Sequence, residues 1–278
     1  MLAEEMERLT SVMARLRGEN GCPWDRQQTH ATLKPYLLEE TYEVLEAIDA
    51  RRMDKLQEEL GDLLLQVVFH AQLAGEAGAF DLSGVAKTIA DKLIRRHPHV
   101  FGDVTVDGVA GVLANWDRIK GHEYGEERAS VLAGVPAALP ALMRAQKLQA
   151  KAAKVGFDWP DIAGALAKVD EEMREFRTVL AAPGDEPQRS ARLREEFGDL
   201  LFALVNVARF LHFDAEDALR RTTEKFRRRF AYIEETAAHN ERGLNEMTLA
   251  EMDALWEETK RAEKDDPAPG PEAENREL

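Results

Sequence analysis

The feature that most limits how this chain can fold is an acidic constellation that occurs twice in the same order. In the second half, EEMRE supplies Glu172 and Glu175, and EEFGD supplies Glu196 and Asp199. In the first half, LLEETYE supplies Glu40 and Glu43, and EELGD supplies Glu59 and Asp62. The first pairs correspond at an offset of 132 and the second at 137, the difference being five extra residues in the turn AAPGDEPQ. Lys92 and Arg96 correspond to Lys225 and Arg229 at 133, Trp24 to Trp159, and Trp116 to Trp256. A period this long is far beyond a solenoid repeat and means tandem duplication of a whole helical domain.

Residues three apart share a helical face, so each pair projects two carboxylates in one direction. Apolar stripes accompany them: Val169, Met173, Phe176, Val179 and Leu180 on one segment, Phe197, Leu200, Leu201, Leu204 and Val205 on the other. These stripes predict an antiparallel helix pair with four carboxylates converging near one end of a buried seam. Such a cluster repels itself unless protons or cations neutralise it. An all-oxygen donor set selects a hard cation, Mg2+ first and Mn2+ as the substitute. A lone EExxE reads as a solvated helix face; EExxE, ExxD and KxxxR repeated together do not.

Lys225 and Arg229 lie four apart on one helix face, as do Lys92 and Arg96. If that helix packs beside the acids, the site combines carboxylates with two basic groups, which suits a polyphosphate. Glu171 and Glu195 are spare carboxylates available to activate a water. Trp256 stacks on a base, closes the pocket, or is a core aromatic. No histidine has an acid three residues before it, which argues against a carboxylate-bridged di-iron bundle. No His/Cys cluster suits zinc, and no GxxxxGK[ST] loop is present. His30, His70 and His97 read as hydrogen-bonded core or helix-end residues.

Helices are predicted over 2–17, 36–50, 53–74, 82–96, 109–121, 139–154, both acidic segments, 214–238 and 249–261. GENGCPWDRQQTH reads as a loop, with Thr29 or Thr32 capping the next helix. HVFGDVTVDG reads as a loop or brief strand. The domain limits expected are 1–121, a linker at 122–138, a second domain at 139–262, and a disordered Pro-rich tail at 263–278. The formal charge of −15 lacks the basic stripe that nucleic acid requires. A single cysteine, Cys22, rules out a disulfide framework within the chain. No apolar run approaches the length of a membrane span, and the start MLAEEMERL has no signal-peptide core. These features lead to the expectation of a cytoplasmic protein with no membrane partner.

At CPWDRQQTH, LLEETYEVLEAI, EELGDLLLQVVFHAQ and RRHPHVFGD, and again at KVGFDWPD, EEFGDLLFALVNVARFL and EKFRRRF, the chain resembles the MazG family of nucleoside triphosphate pyrophosphohydrolases, over about residues 2–262. The resemblance implies an all-α fold, a tandem duplication of the helical NTP pyrophosphatase domain, homodimeric helix bundles, and Mg2+-dependent hydrolysis of NTPs and dNTPs to monophosphate and pyrophosphate. It assigns Glu172, Glu175, Glu196 and Asp199 to Mg2+, and Lys225 and Arg229 to the phosphates. Lys168, Arg192 and Trp256 line the nucleotide site, with Glu171, Glu195 and Arg228 completing the substrate-facing set. The first copy keeps Glu40, Glu43, Glu59, Asp62, Lys92 and Arg96, so its activity stays open. The rival expectation is a non-enzymatic helical scaffold that senses nucleotides or binds a partner.

Overall fold

The computed structural model describes residues 1–124, 130–182 and 187–265. Within these residues there are twelve α-helices and no strand. The chain divides into two compact units, Met1–His122 and Glu123–Leu278. Residues 125–129 of the expected linker, 183–186 of the AAPGDEPQ turn, and 266–278 of the expected tail lie outside the described residues.

The first unit contains α1 (Leu2–Arg17), α2 (Pro23–Gln27), α3 (Lys34–Asp49), α4 (Met53–Glu76), α5 (Leu82–Arg96) and α6 (Pro98–Phe101). Helix α7 (Gly108–Tyr124) follows and passes the unit boundary, so the first three residues assigned to a linker are helical. Helix α3 packs on α4, and α4 also receives α1 and α5. The core is built where the apolar stripe of α1 meets that of α4: Met13, Leu33, Val68 and Phe69 are buried together, flanked by Leu9, Leu16 and Leu65. Two short helices appear where a loop was predicted, α2 and α6. Each starts at a proline, whose fixed φ and missing N–H suit a first helical turn. Thr29 and Thr32 cap nothing. They hydrogen-bond each other within a turn, and Leu33 takes the N-cap of α3 with no side-chain bond.

The second unit contains α8 (Ala141–Ala153), α9 (Ile162–Ala181), α10 (Pro187–Phe210), α11 (Ala215–His239) and α12 (Leu249–Asp265). Helices α9 and α10 form its most extensive contact, α8 lies on α10 and α11, and α12 packs on α11. Side-chain oxygens start these helices: Asp161 accepts the Ala163 N–H at 2.8 Å, and Asp214 accepts the Asp217 N–H at 2.9 Å. At the start of α12, Glu251 accepts from the Thr248 N–H at 2.7 Å, and Arg242 pairs with the same carboxylate. These bonds, that of Arg242 first, hold the Glu251 pKa at about 2. Helix α12 runs four residues beyond the predicted end at Arg261, into the segment expected to be tail.

Candidate active site

Helices α9 and α10 run antiparallel: Arg189 near the start of α10 donates to the Val179 carbonyl near the end of α9. That direction sets the register of the acids. Glu172 and Glu175 from α9 and Glu196 from α10 each offer a carboxylate oxygen, all within 4.8 Å of one another. Glu172 is buried, at 5% exposure; Glu196 is half-buried and Glu175 exposed. Burial and the neighbouring charges of Glu175, Asp199 and Glu172 push the Glu196 pKa up. Three hard oxygen donors in self-repulsion form a set that suits a divalent cation such as Mg2+ or Mn2+. Asp199 stands outside this trio and lines the adjoining cavity with Glu172 and Lys168.

Lys168, one turn before Glu172, bridges Glu171 at 2.8 Å and Glu172 at 2.5 Å. The pairs raise the lysine pKa and lower that of Glu171. Lys168 is therefore the cation that α9 itself places at the cluster. Arg192, Glu195 and Arg228 are exposed, Arg192 near enough to Glu196 to oppose part of its pKa rise.

The basic pair of α11 is arranged differently from the expectation. The Arg229 guanidinium donates to Glu263 of α12 at 3.0 and 2.5 Å and lies over the Trp256 ring, 5.4 Å from its centroid. Trp256 also packs against Phe226 at 5.2 Å. Arg229, Trp256 and the half-buried Lys225 thus belong to an α11–α12 cluster, and Glu263 carries a lowered pKa because Arg229 bonds to it.

The first unit repeats the acid trio. Glu40, Glu43 and Glu59 bring carboxylate oxygens within 4.8 Å, and burial with mutual repulsion raises the pKa of Glu40 and Glu43. Its cation comes from the other helix: Lys55 of α4 pairs with Glu58 at 2.6 Å and Glu59 at 3.8 Å. Asp62 lines a cavity of about 510 Å3 with Glu43 and Glu59. Arg96 is buried, and Lys92, one turn earlier on α5, is half-buried. His30 and His70 share a hydrogen bond of 2.7 Å between Nδ1 atoms, and His97 bonds the Leu93 carbonyl at 2.7 Å.

Beside the second cluster opens a cavity of about 820 Å3 between α8, α10 and the loop before α9. Its lining includes Lys168, Glu172 and Asp199 together with Phe157, Trp159 and Phe202. Asp158 and Arg209, also in its lining, form a two-pronged ion pair. Of these, sequence reasoning named Lys168, Glu172 and Asp199 as site residues and Trp159 only as the counterpart of Trp24; it missed Phe157, Phe202, Asp158 and Arg209. The repeated Gly-x-x-Trp of GCPW and GFDW is the signal that marks the loop.

Residues 28–101 and 163–233 match the MazG nucleotide pyrophosphohydrolase domain. The chain is 46% identical to a Thermotoga maritima protein named nucleoside triphosphate pyrophosphohydrolase/pyrophosphatase MazG, over 91% of this chain and 95% of that one. It is 48% identical to a nucleoside triphosphate pyrophosphohydrolase of Escherichia coli, over 94% of this chain and 99% of that protein. It is also 51% identical to the uncharacterized protein YabN of Bacillus subtilis, covering 95% of this chain and 53% of that one.

Proposed function

The chain belongs to the MazG nucleotide pyrophosphohydrolase family, and from that premise we propose that it hydrolyses ribo- and deoxyribonucleoside triphosphates with Mg2+ at the carboxylates of the second unit. The single observation that carries this reading is the trio Glu172, Glu175 and Glu196, three carboxylates within 4.8 Å beside an open cavity. Glu172, Glu175, Glu196 and the adjoining Asp199 would hold the ion. When bound, Mg2+ neutralises phosphate charge and makes phosphorus a better electrophile.

The chain's own residues do the rest. Lys168 in the cavity lining neutralises a non-bridging phosphate oxygen by exchanging a carboxylate partner for it. Glu171, whose pKa Lys168 holds low, and Glu195 are the spare carboxylates available to take a proton from water. Water adds at phosphorus, the bond between the α and β phosphates breaks, and monophosphate and pyrophosphate leave.

A homodimer is part of this proposal. Phe197, Leu201 and Leu204 recur at helical spacing on α10 and stay exposed, a stripe a second copy would cover. No described helix is long and apolar enough to cross a membrane.

The test is product identity with the full chain. A panel of NTPs and dNTPs with Mg2+ is expected to release pyrophosphate, and a chelator to stop it. Orthophosphate as the first product, or turnover unaffected by Glu172→Gln together with Glu196→Gln and their first-unit counterparts Glu40→Gln and Glu59→Gln, overturns the assignment.

A further inference from the structure

The loop between α8 and α9, residues 154–161, carries the Gly-x-x-Trp of the second unit. It leaves α8 through Gly156, whose φ of +87° favours glycine, with the Phe157 N–H on the Ala152 carbonyl at 3.1 Å. It enters α9 at the Asp161 cap. Between these points it is tied to α10. The Arg209 guanidinium grips both oxygens of Asp158, Nη1 donating to Oδ2 at 2.9 Å and Nη2 to Oδ1. The same Oδ1 accepts the Trp159 N–H at 2.9 Å.

Arg209 is itself held in place. Its Nε donates to Asn206 Oδ1 at 2.9 Å, and its guanidinium carbon lies 4.5 Å from the centre of the Phe210 ring. A planar fork fixed at Nε and over a ring aims its remaining donors in one direction. The Arg209 side chain is 16% exposed and that of Asp158 26%, so removing either leaves a partly buried charge without its partner. Trp159 is seated on α9: a Cβ at Gly164 would come within 2.8 Å of the indole. The links run as one chain from α10 through the loop to α9. Asp158, Trp159 and Arg209 line the cleft of about 820 Å3 together with Lys168 and Glu172. The first unit holds its loop in another way. At the offsets that align Trp24 with Trp159 and Glu59 with Glu196, Asp158 corresponds to Pro23, Arg209 to Gln72 and Asn206 to Phe69. There Arg17 of α1 donates to the Asp25 and Gln28 carbonyls and pairs with Glu76, its guanidinium 5.5 Å from the centre of the buried Phe69 ring. That tie runs beside the core; the second unit's tie runs along the cleft.

We propose that Asp158 and Arg209 are positioning residues for the reaction at the second unit's carboxylates: their ion pair clamps the loop and Trp159 to α10 and so keeps the cleft in the shape in which substrate meets Lys168. Neither residue touches the reacting atoms, and neither belongs to the carboxylate trio. The inference rests on the hydrolase reading above. It separates two tasks within one unit, since the trio depends on the register of α9 and α10, whereas the cleft beside it depends on a loop that the clamp fixes.

The experiment compares the full-length wild type with Asp158→Ala, Arg209→Ala, the double variant and Arg209→Lys. Each is assayed for kcat and KM on ATP with Mg2+, for Mg2+ binding by calorimetry without nucleotide, and for hydrogen exchange of residues 154–161. Each alanine variant is expected to raise KM by about tenfold with kcat changed by no more than roughly threefold. Mg2+ affinity should stay within about twofold while exchange in the loop quickens by about tenfold or more. The double variant should be no worse than the worse single one, because the pair acts as a unit. Arg209→Lys, which keeps the charge and loses the fork, should fall between. An unchanged KM in both single variants overturns the clamp and keeps the hydrolase reading. So does a KM rise that multiplies in the double variant, or a loss of Mg2+ affinity alongside KM, which would mark the pair as general scaffold. A wild type that turns nothing over sinks the hydrolase reading; calorimetric binding of a non-hydrolysable ATP analogue then takes the place of KM, and unchanged affinity in the variants overturns the clamp. Should the alanine variants fail to fold, a wild-type KM in Arg209→Lys overturns it by itself.

Discussion

Glu40, Glu43 and Glu59 in the first unit, and Glu172, Glu175 and Glu196 in the second, converge equally well, yet the cations and the space around them differ. Lys168 stands where the first unit has Tyr36, which packs edge-on against Trp24 at 5.7 Å instead. Lys55, the first unit's cation, corresponds to the exposed Arg192. Leu33 and Ala165 correspond and are each 1% exposed, so the same buried point takes a larger side chain in the unit with the fuller core. The acid trio depends only on spacing within two helices and their register, so duplication copies it faithfully. The cleft depends on side-chain volumes contributed by several elements, and a few substitutions suffice to fill or open it.

This comparison can be broken at several points. The largest effect is expected for Glu172→Gln with Glu196→Gln, which should lower pyrophosphate release by about a thousandfold or more, against a much smaller change for Glu40→Gln with Glu59→Gln. Steady-state assays of both pairs decide it, and equal losses would mean that the filled core of the first unit does not prevent turnover. Next in size is stability. Phe69→Ala should cost about 3–5 kcal/mol, the range for deleting a buried phenylalanine. Its counterpart Asn206→Ala should cost no more than about 1 kcal/mol, one hydrogen bond's worth. Urea unfolding with hydrogen exchange on α1, α4 and α10 separates the two.

The third effect concerns pH. Glu40, Glu43 and Glu196 have raised pKa values, so the folded chain holds their protons more tightly than the unfolded chain does. Their contribution to stability is full below the ordinary glutamate pKa and is lost as pH rises through the folded values. Mg2+ should therefore raise the melting temperature at pH 8 and do so progressively less towards pH 5, where protons occupy the same oxygens. Glu76, bound by Arg17, and Glu263, bound by Arg229, have the opposite sign. Their stabilisation is present above the ordinary glutamate pKa and fades as pH falls through the lowered one. Glu263→Gln should flatten that acid limb for α11 and α12 in hydrogen exchange and leave the Mg2+ response intact. The smallest effect is at Gly61 and Gly198, helix-interior glycines within the two acid motifs, where an added Cβ meets nothing within 4 Å. Alanine at either should stabilise its helix by roughly 0.5–1 kcal/mol in thermal melts.

Much of this was written in the periodicity. The ends of α1 and α5 were predicted to the residue, because strong apolar spacing ran up to a glycine or a proline. The duplication, and the meeting of Glu172 and Glu175 with Glu196 and of Glu40 and Glu43 with Glu59, followed from identity and i, i+3 spacing; the expected fourth carboxylates, Asp199 and Asp62, stand outside the trios. What the sequence hid were choices between partners. Arg229 on α11 was paired in prospect with the acids or a phosphate; it pairs with Glu263, which had been counted as tail because polar composition masks the last turn of α12. Asp158 and Arg209 are 51 positions apart and carry no spacing signal at all. The cavity beside them is a deficit of volume across α8 and α10, and a one-dimensional pattern does not record volume. In the first unit the proline-initiated turns α2 and α6 were lost among the breakers around them.

The seat of Trp159 on Gly164 has a consequence for anyone engineering this chain. Three helix-interior glycines look alike to a scheme that exchanges glycine for alanine to gain backbone rigidity. Gly61 and Gly198 satisfy that scheme. Gly164 inverts it: the methyl group would take the place of the indole, so a change chosen to toughen the scaffold would dislodge a side chain 5 residues upstream and deform the cleft it walls. Backbone rigidity and the shape of the cavity that also contains Lys168, Glu172 and Asp199 are coupled at that one position, and a library screened for melting temperature alone would not register the second.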